Sequence, residues 1–388
     1  MINQQEQIIM PKSLKDLRPV YVVGVGWHRY QRLSGTPYVS LGLHAIRQSL
    51  ADAGIAWTDV ESSYMGTGYL GMAPGLPMLR YLGATGRHLV HVENASASGS
   101  AAFRHACIEV AAGMADVALA VGVDKPETTR HPVTGLSSLA NDAIAFFTHY
   151  ALLMDQYAQE HGAKPEDIAL VAVKNLYNGS LNPNAHRQEE RSLDEILNGR
   201  KLSGWLTPLQ CCPVGEGAAA VIVASEDAIK RLSIDPDRAI RVAASAACSE
   251  RSGLDWPVDV ALTQVTMADA LQQAGLKPQN VDVLEVHDAF TIEEVQYAES
   301  LGFCKPGEAV HLLKEGAFNI GGKMAVSPSG GLIAMGHPVG PTGVGQIGEI
   351  TMQLRGEAGL RQHKGAKVGL AHMIGNGPMC YAHILQKP

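Results

Sequence analysis

Four short phrases in this chain carry reactive or hydrogen-bonding side chains: VENASASGS (92–100), HDAF (287–290), SGGLIAMGHPVGPTG (329–343) and HMIGNG (372–377); three of them set these beside glycine, and HDAF directly follows an apolar strand. In the first, Ser96 is placed by spacing at the start of a buried helix. Free backbone N–H groups and the helix dipole there favour an anion, on the side chain or on an attacked carbonyl. The same position also suits a plain capping serine, so Ser96 or Ser98 as an N-cap is the competing reading. In the third phrase His337 stands between Gly336 and Pro338. Proline disfavours helical backbone at the preceding residue, so a turn rather than a helix face aims this imidazole. A histidine titrating near pH 6.5 suits proton transfer, although with 15 histidines in the chain most must be structural. Glycines in HMIGNG would let backbone amides approach a ligand closely. His287 and Asp288 end an apolar strand, a position poor for stability and common for function, with Asp288 as a cap for the following helix the alternative.

These corners need strands and helices to hold them, and the chain spells out such elements twice. YVVGV at 21–25 reads as a buried strand, 38–53 as a helix stopped by Gly54, and 58–65 as a strand. The second half repeats the layout with a strand at 239–246, a helix over 258–274 stopped by Gly275, and a strand at 281–286. A Gly/Ser turn at 96–100 opens a helix to 112, followed by a strand at 115–121. The turn at 329–343 opens a helix to 354, followed by a strand at 366–370. Alternating strands and helices imply βαβ units and mostly parallel buried sheets. The expectation is a duplicated α/β fold with a pseudo-twofold axis. Residues 125–208 have no counterpart in the second half and form an insertion, with helices expected at 140–159 and 164–177. The expected division is 1–124 plus 209–236 as the first half, 125–208 as the inserted loop domain and 237–388 as the second half.

Composition narrows the function classes. The 388 residues are 46% hydrophobic and 18% charged with 41 glycines, which fits a well-buried protein and not a disordered one. A net charge of −7 gives no basis for binding nucleic acid or an anionic membrane, and 5% aromatics is too few for base-stacking platforms. Six scattered cysteines without zinc spacing suit neither a disulfide framework nor a metal knuckle. No apolar run approaches a spanning helix, and the first residues lack the apolar core of a signal peptide. A cytoplasmic enzyme is the expectation, with neither nucleic acid nor membrane as a partner.

The order and spacing of ENASASGSAAFR, EVHDAF, GGLIAMGHPVGPTG and LAHMIGNG resemble the thiolase superfamily. The match is best to its archaeal and bacterial acetyl-CoA acetyltransferase-like, sterol-carrier-type branch, in which HDAF or HDCF replaces NEAF. The resemblance implies two βαβαβαββ halves layered α/β/α/β/α, with a loop domain inserted in the first half. It implies acyl-CoA substrates, coenzyme A as a substrate with no tightly bound cofactor or metal, a homodimer or tetramer, and a small zinc-ribbon/OB-fold subunit as a further partner. By the same resemblance Ser96 occupies the position of the nucleophilic cysteine. His337 activates that nucleophile, His287 orders a water in one oxyanion hole, and the N–H groups of Gly375 and Ser96 form the other. Met373 and Ala289 fall where the family has its second, acid/base cysteine. With Phe290, Ser329, Gly330 and Gly331 they complete the expected substrate-binding set.

Both thiol positions are therefore vacant, and a hydroxyl is a far weaker nucleophile than a thiolate near neutral pH. Ser96 can stand for a cysteine exchanged to trap a complex, or be a serine nucleophile activated by His337. Alternatively no acyl intermediate forms, and His337 and His287 act directly on a thioester, as in thiolase-fold retro-aldolases. A thiolase-type acyltransferase that makes or cleaves a C–C bond beside a CoA thioester is the leading reading. A retro-aldolase acting on a β-hydroxyacyl-CoA and a non-catalytic CoA-binding subunit are the alternatives.

Overall fold

The structure, a computed structural model, describes residues 13–126, 146–375 and 378–388. Ten strands in the described residues are β1 (Val20–Gln31), β2 (Ser62–Gly66), β3 (His88–Val92), β4 (Val117–Asp124), β5 (Glu216–Ser225), β6 (Ile240–Ser249), β7 (Val283–Glu285), β8 (Ala325–Val326), β9 (Val368–Gly375) and β10 (Met379–Gln386). They run side by side in the order β3-β2-β4-β5-β1-β6-β10-β9-β7-β8. Counted from either edge inward, the third, second, fourth, fifth and first strands of each half follow one another. Directions repeat as well. β2 lies parallel to β3 and β4, and β7 parallel to β8 and β9, while the two strands nearest the seam in each half pair antiparallel. The halves meet where β1 and β6 pair at Tyr21↔Arg241 and Val22↔Ile240. The expected duplication is thus present strand for strand, but the expected mostly parallel pairing is not: among the described residues five strand pairs are antiparallel and four parallel, because the last strand of each half returns antiparallel beside the first.

Helices form the layers. α1 (Tyr38–Ala53) covers the outer face of the first half and ends at Gly54 (φ 70°); α8 (Val258–Ala274) covers the second and ends at Gly275 (φ 68°). The left-handed glycine stops read from the repeat are both in place. Between the halves lie α3 (Ser98–Ala111) and α12 (Val339–Arg355), packed against each other and against strands of the first half, with α12 also reaching β7 and β9. Their shared core holds Phe103, Val344, Ile347, Val283 and Leu385, all buried. Each such side chain stabilises the fold by roughly 1.5–3 kcal/mol through burial. The two helices approach closely at Gly99 of α3, where a methyl would meet Gly340 O at 2.3 Å.

The insertion supplies α4 (Phe146–His161), α5 (Pro165–Ser180) and α6 (Leu193–Leu197). Residues 127–145, including the start of the helix expected at 140–159, lie outside the described residues. Although it leaves from the first half, the insertion packs on the second. Leu153, Met154, Ile168 and Leu176 share a core with α8 and with α9 (Thr291–Ser300). One local expectation fails. The turn expected over 329–343 contains a short helix, α11 (Gly331–Met335), because Gly330 (φ 104°) and Gly336 (φ 101°) confine the irregular backbone to its two ends.

Candidate active site

The first corner is a tight turn between β3 and α3. Ala95 has φ 47°, a left-handed backbone that a side-chain-bearing residue adopts only when its surroundings fix it. Ser98 does the fixing: its Oγ accepts the Asn94 N–H (2.9 Å) and donates to Ala95 O (2.6 Å). Asn94 Nδ2 donates to Tyr381 Oη at 3.1 Å, tying the turn to β10. β9 closes in from the other side, where a Cβ on Gly375 would stand 2.2 Å from Asn94 O, so only glycine fits. The N-cap of α3 is Ala97, with no side-chain bond. Ser96 is therefore not a capping serine. Its half-buried Oγ stands 2.9 Å from His337 Nε2 instead.

The hydrogen bonds define the proton inventory of that pair. Thr342 Oγ1 donates to Pro338 O (2.6 Å) and lies 2.9 Å from His337 Nδ1. With its one proton committed, the hydroxyl can only accept from the ring, so Nδ1 carries the N–H and Nε2 presents a lone pair to the Ser96 hydroxyl. Desolvation, and next the neighbouring His287, hold the His337 imidazole well below its ordinary pKa, hence neutral. The loop is pinned by Asp124, whose buried carboxylate accepts from Gly340 N (2.5 Å), Thr67 Oγ1 (2.7 Å), Gly68 N and Tyr69 N (2.9 Å each).

His287 leaves β7 with its ring edge-on to His337, centroids 5.2 Å apart at 86°. Its Nδ1 is 2.9 Å from Glu293 Oε1, and its buried Nε2 has no partner among the described residues. Glu293 also accepts from Phe290 N (2.8 Å), and the Tyr297 hydroxyl lies between it (3.2 Å) and Asp259 (3.1 Å). His372 Nδ1 accepts the His287 main-chain N–H (3.4 Å), and burial keeps the His372 ring neutral. Asp288, weighed above as a helix cap, takes the N–H of Leu332 (2.7 Å) and Nδ2 of Asn175 (2.7 Å) instead; Glu293 caps that helix.

Ser96, His337, His287 and Gly375 thus come together around one turn pair. The remaining predicted residues divide. Met373 is fully buried against Ala97, Ala101 and Tyr381, behind the Ser96 turn. Phe290 stacks on Tyr150 at 4.2 Å, forming an aromatic wall with the insertion. Ser329 bonds Glu285 through its N–H (2.9 Å) and Oγ (2.8 Å), and Gly331 leaves room for the Asp288 carboxylate, so both serve the protein's interior. Gly330 lets α5 approach, with Gly179 Cα 2.8 Å from where its Cβ would be. One cysteine segment borders the site. Cys212 N–H donates to Ala289 O (2.8 Å), although burial pushes the Cys212 thiol up, away from reactivity. Thr342, Glu293, Tyr381 and Asp124 were not visible as site residues; Thr342 and Glu293 lie five and six positions beyond the histidines they orient. Asn376 and Gly377 of the last phrase lie outside the described residues. Among the described residues no cluster of three or more His, Cys, Asp or Glu could hold a metal, and no helix is long and apolar enough to cross a membrane.

The site sets a neutral imidazole against a hydroxyl at a helix N-terminus, facing a second imidazole across a duplicated α/β frame. Residues 22–197 match the thiolase N-terminal domain and residues 243–386 the thiolase C-terminal domain-like family. The chain belongs to the thiolase family. It is 35% identical over 373 residues to the benzoylsuccinyl-CoA thiolase subunit BbsB of Thauera aromatica, covering 93% of this chain and 95% of that one. It is 32% identical over 390 residues to an acetyl-CoA acetyltransferase of Methanothermobacter thermautotrophicus (96% and 100% covered), and 35% over 388 residues to sterol carrier protein 2 of Gallus gallus (93% and 70%). Its fold is that of the Ltp2-ChsH2(DUF35) aldolase (TM-score 0.83, 22% identity, 95% and 98% covered). It is also that of human mitochondrial 3-ketoacyl-CoA thiolase in complex with CoA (TM-score 0.73, 18% identity, 98% and 100% covered). The protein is an acyltransferase of the thiolase type, which makes or cleaves a C–C bond next to a CoA thioester, with coenzyme A as a substrate.

Proposed function

We propose that Ser96 takes the acyl group. The observation that carries this reading is the 2.9 Å contact from Ser96 Oγ to a His337 nitrogen that must be unprotonated. Oγ attacks the thioester carbonyl as its proton passes to Nε2; the departing CoA sulfur recovers that proton. The amides of Ser96 and Gly375, at the positive end of α3, receive the oxyanion. A second thioester, held between His337 and His287, then joins the acyl group through its α-carbon. Neither Met373, buried behind the Ser96 turn, nor Ala289 can carry a proton. The proposed division into 1–124 with 209–236, 125–208 and 237–388 puts the nucleophile and the two histidines on opposite halves, with the insertion as the substrate wall.

Non-covalent retro-aldol chemistry is the second reading, supported by the absence of a thiol at both family positions. A thiolysis panel with acyl-CoA pairs separates the two. Ser96→Cys should raise thiolysis by about tenfold or more, since a thiolate forms far more readily than an alkoxide, and Ser96→Ala should abolish it. Unchanged activity in both variants, with β-hydroxyacyl-CoA cleavage intact, would favour the retro-aldolase. The relative from Thauera is named as a subunit, and the aldolase neighbour's title joins two components. We infer a homodimer or tetramer in the cytoplasm that pairs with a small zinc-ribbon/OB-fold subunit. Exposed Met72 (98%), Tyr81 (67%) and Leu76 (61%) support self-association. Co-purification from the native host tests the partner.

A further inference from the structure

We propose that His287, backed by Glu293, is the acid/base that moves the substrate's α-proton. This inference rests on the proposed acyl transfer and assigns the step that Met373 and Ala289 leave without a proton carrier.

The two facing imidazoles are not equivalent. His337 has a neutral hydroxyl, Thr342, on its Nδ1 and already serves Ser96 through Nε2. His287 has a carboxylate on its Nδ1, and that carboxylate is fully buried. Glu293 also accepts from Phe290 N, while Tyr297 Oη divides its one proton between Glu293 (3.2 Å) and Asp259 (3.1 Å); the carboxylate therefore acts as an acceptor and Nδ1 carries a hydrogen. Neutral His287 therefore points a lone pair from Nε2 into the site, where that atom is buried and unpartnered among the described residues. When Nε2 takes a proton, the imidazolium forms against an anion at 2.9 Å, whereas His337 would have to charge beside a hydroxyl and a histidine. The other polar groups around His287 are His372 at its main-chain N–H, Asp288 next in sequence, and the thiol-bearing Cys212 segment on the Ala289 carbonyl. Of these, His372 is kept neutral and Cys212 is pushed up by burial, so neither competes for the proton.

The step balances within the site. The Cα–H bond breaks and its proton goes to Nε2 of His287. The electron pair left on the enolate forms the new bond to the acyl carbon on Ser96. The acyl carbon–Oγ bond breaks, and Oγ receives the proton that His287 carried, leaving the ring neutral again. Glu293 touches no substrate and is a positioning residue that stabilises the charged ring.

Hydrogen–deuterium exchange at the α-carbon isolates this step from acyl transfer. The full-length protein is incubated in D2O with acetyl-CoA, propionyl-CoA and succinyl-CoA as probes, and deuterium uptake is followed by mass spectrometry across pH. Exchange should fall about 100-fold in His287→Asn, which keeps an amide donor but cannot carry a proton. It should fall about tenfold in Glu293→Gln, with the acidic limb of the pH profile displaced to lower pH, because loss of the carboxylate makes the ring harder to protonate. Glu293→Asp should recover most of the exchange and return the limb. His287→Asn leaves Glu293 untouched and carries the test by itself if Glu293→Gln does not fold. Exchange in His287→Asn within threefold of the unaltered chain, or no exchange with any probe in the unaltered chain, overturns the proposal. Exchange that depends on His287 while no acyl group ever appears on Ser96 would instead overturn only the covalent step.

Discussion

Thr342 decides which nitrogen of His337 is basic, and one oxygen atom makes the difference. Its hydroxyl donates to Pro338 O and so must accept from Nδ1, leaving Nε2 free for Ser96. Thr342→Val removes the acceptor while keeping the shape, so the ring loses its preferred tautomer. We expect acyl transfer to fall about 10- to 100-fold with KM little changed, and Thr342→Ser to restore most of it. Steady-state kinetics on the two variants check this. His337 was legible in the sequence because Gly336 and Pro338 flank it, and such punctuation fixes a local turn whatever surrounds it; Ser96 was legible from the small-residue and glycine run around it, and His287 from its place at the end of an apolar strand. Thr342 and Glu293 were not, because each sits in the first turn of the helix after its histidine, and only the folded turn brings it back onto the ring. The capping alternative for Ser96 failed for a related reason: Ser98 was the better-placed serine to close a turn that contains a left-handed Ala95.

At the scale of elements, the duplicated strand order was readable because each half ends its outer helix on Ala-Gly and opens its inner helix with a glycine-rich turn. What the pattern could not show is how the inner turns are locked together, since the locks join residues far apart in sequence. Asp124 at the end of β4 receives four donors, one of them from Gly340 in the first turn of α12. Asp124→Asn replaces one accepting oxygen by an N–H that faces other donors. The substitution should cost about 2–4 kcal/mol of stability and slow acyl transfer by letting the His337 turn drift. Urea titration alongside kinetics measures both. An unshifted unfolding midpoint would show that the loop is held some other way. The packing of the insertion on the second half was likewise hidden, because residues 125–208 follow the first half in the chain while the second-half partners of α5 begin only at Asp288.

The whole molecule carries buried titratable groups of both kinds, and they set opposite limbs of its pH stability. Burial, with Glu349 nearby as a second cause, pushes the Glu285 carboxyl up to about 8. The folded state then holds a proton that the unfolded chain gives up above about pH 4.3, so this contribution is lost as pH rises through 8. His337, His372 and His383 are kept neutral by burial, the last down to about 3. Below roughly pH 6.5 the unfolded chain binds protons that these rings refuse, so stability falls as pH falls. The melting temperature should therefore peak near pH 6.5. Glu285→Gln should flatten the decline from there to pH 8 and leave the acid limb intact; a decline that persists unchanged would place its origin elsewhere.

The account turns on whether Ser96 becomes acylated. Incubation with an acyl-CoA, acid quenching and peptide mass mapping should show the acyl mass on the peptide that contains Ser96, absent in Ser96→Ala and lost on adding coenzyme A. A chain that turns over its thioester substrate with no acyl mass on that peptide, at the same rate with alanine at position 96, would contradict it.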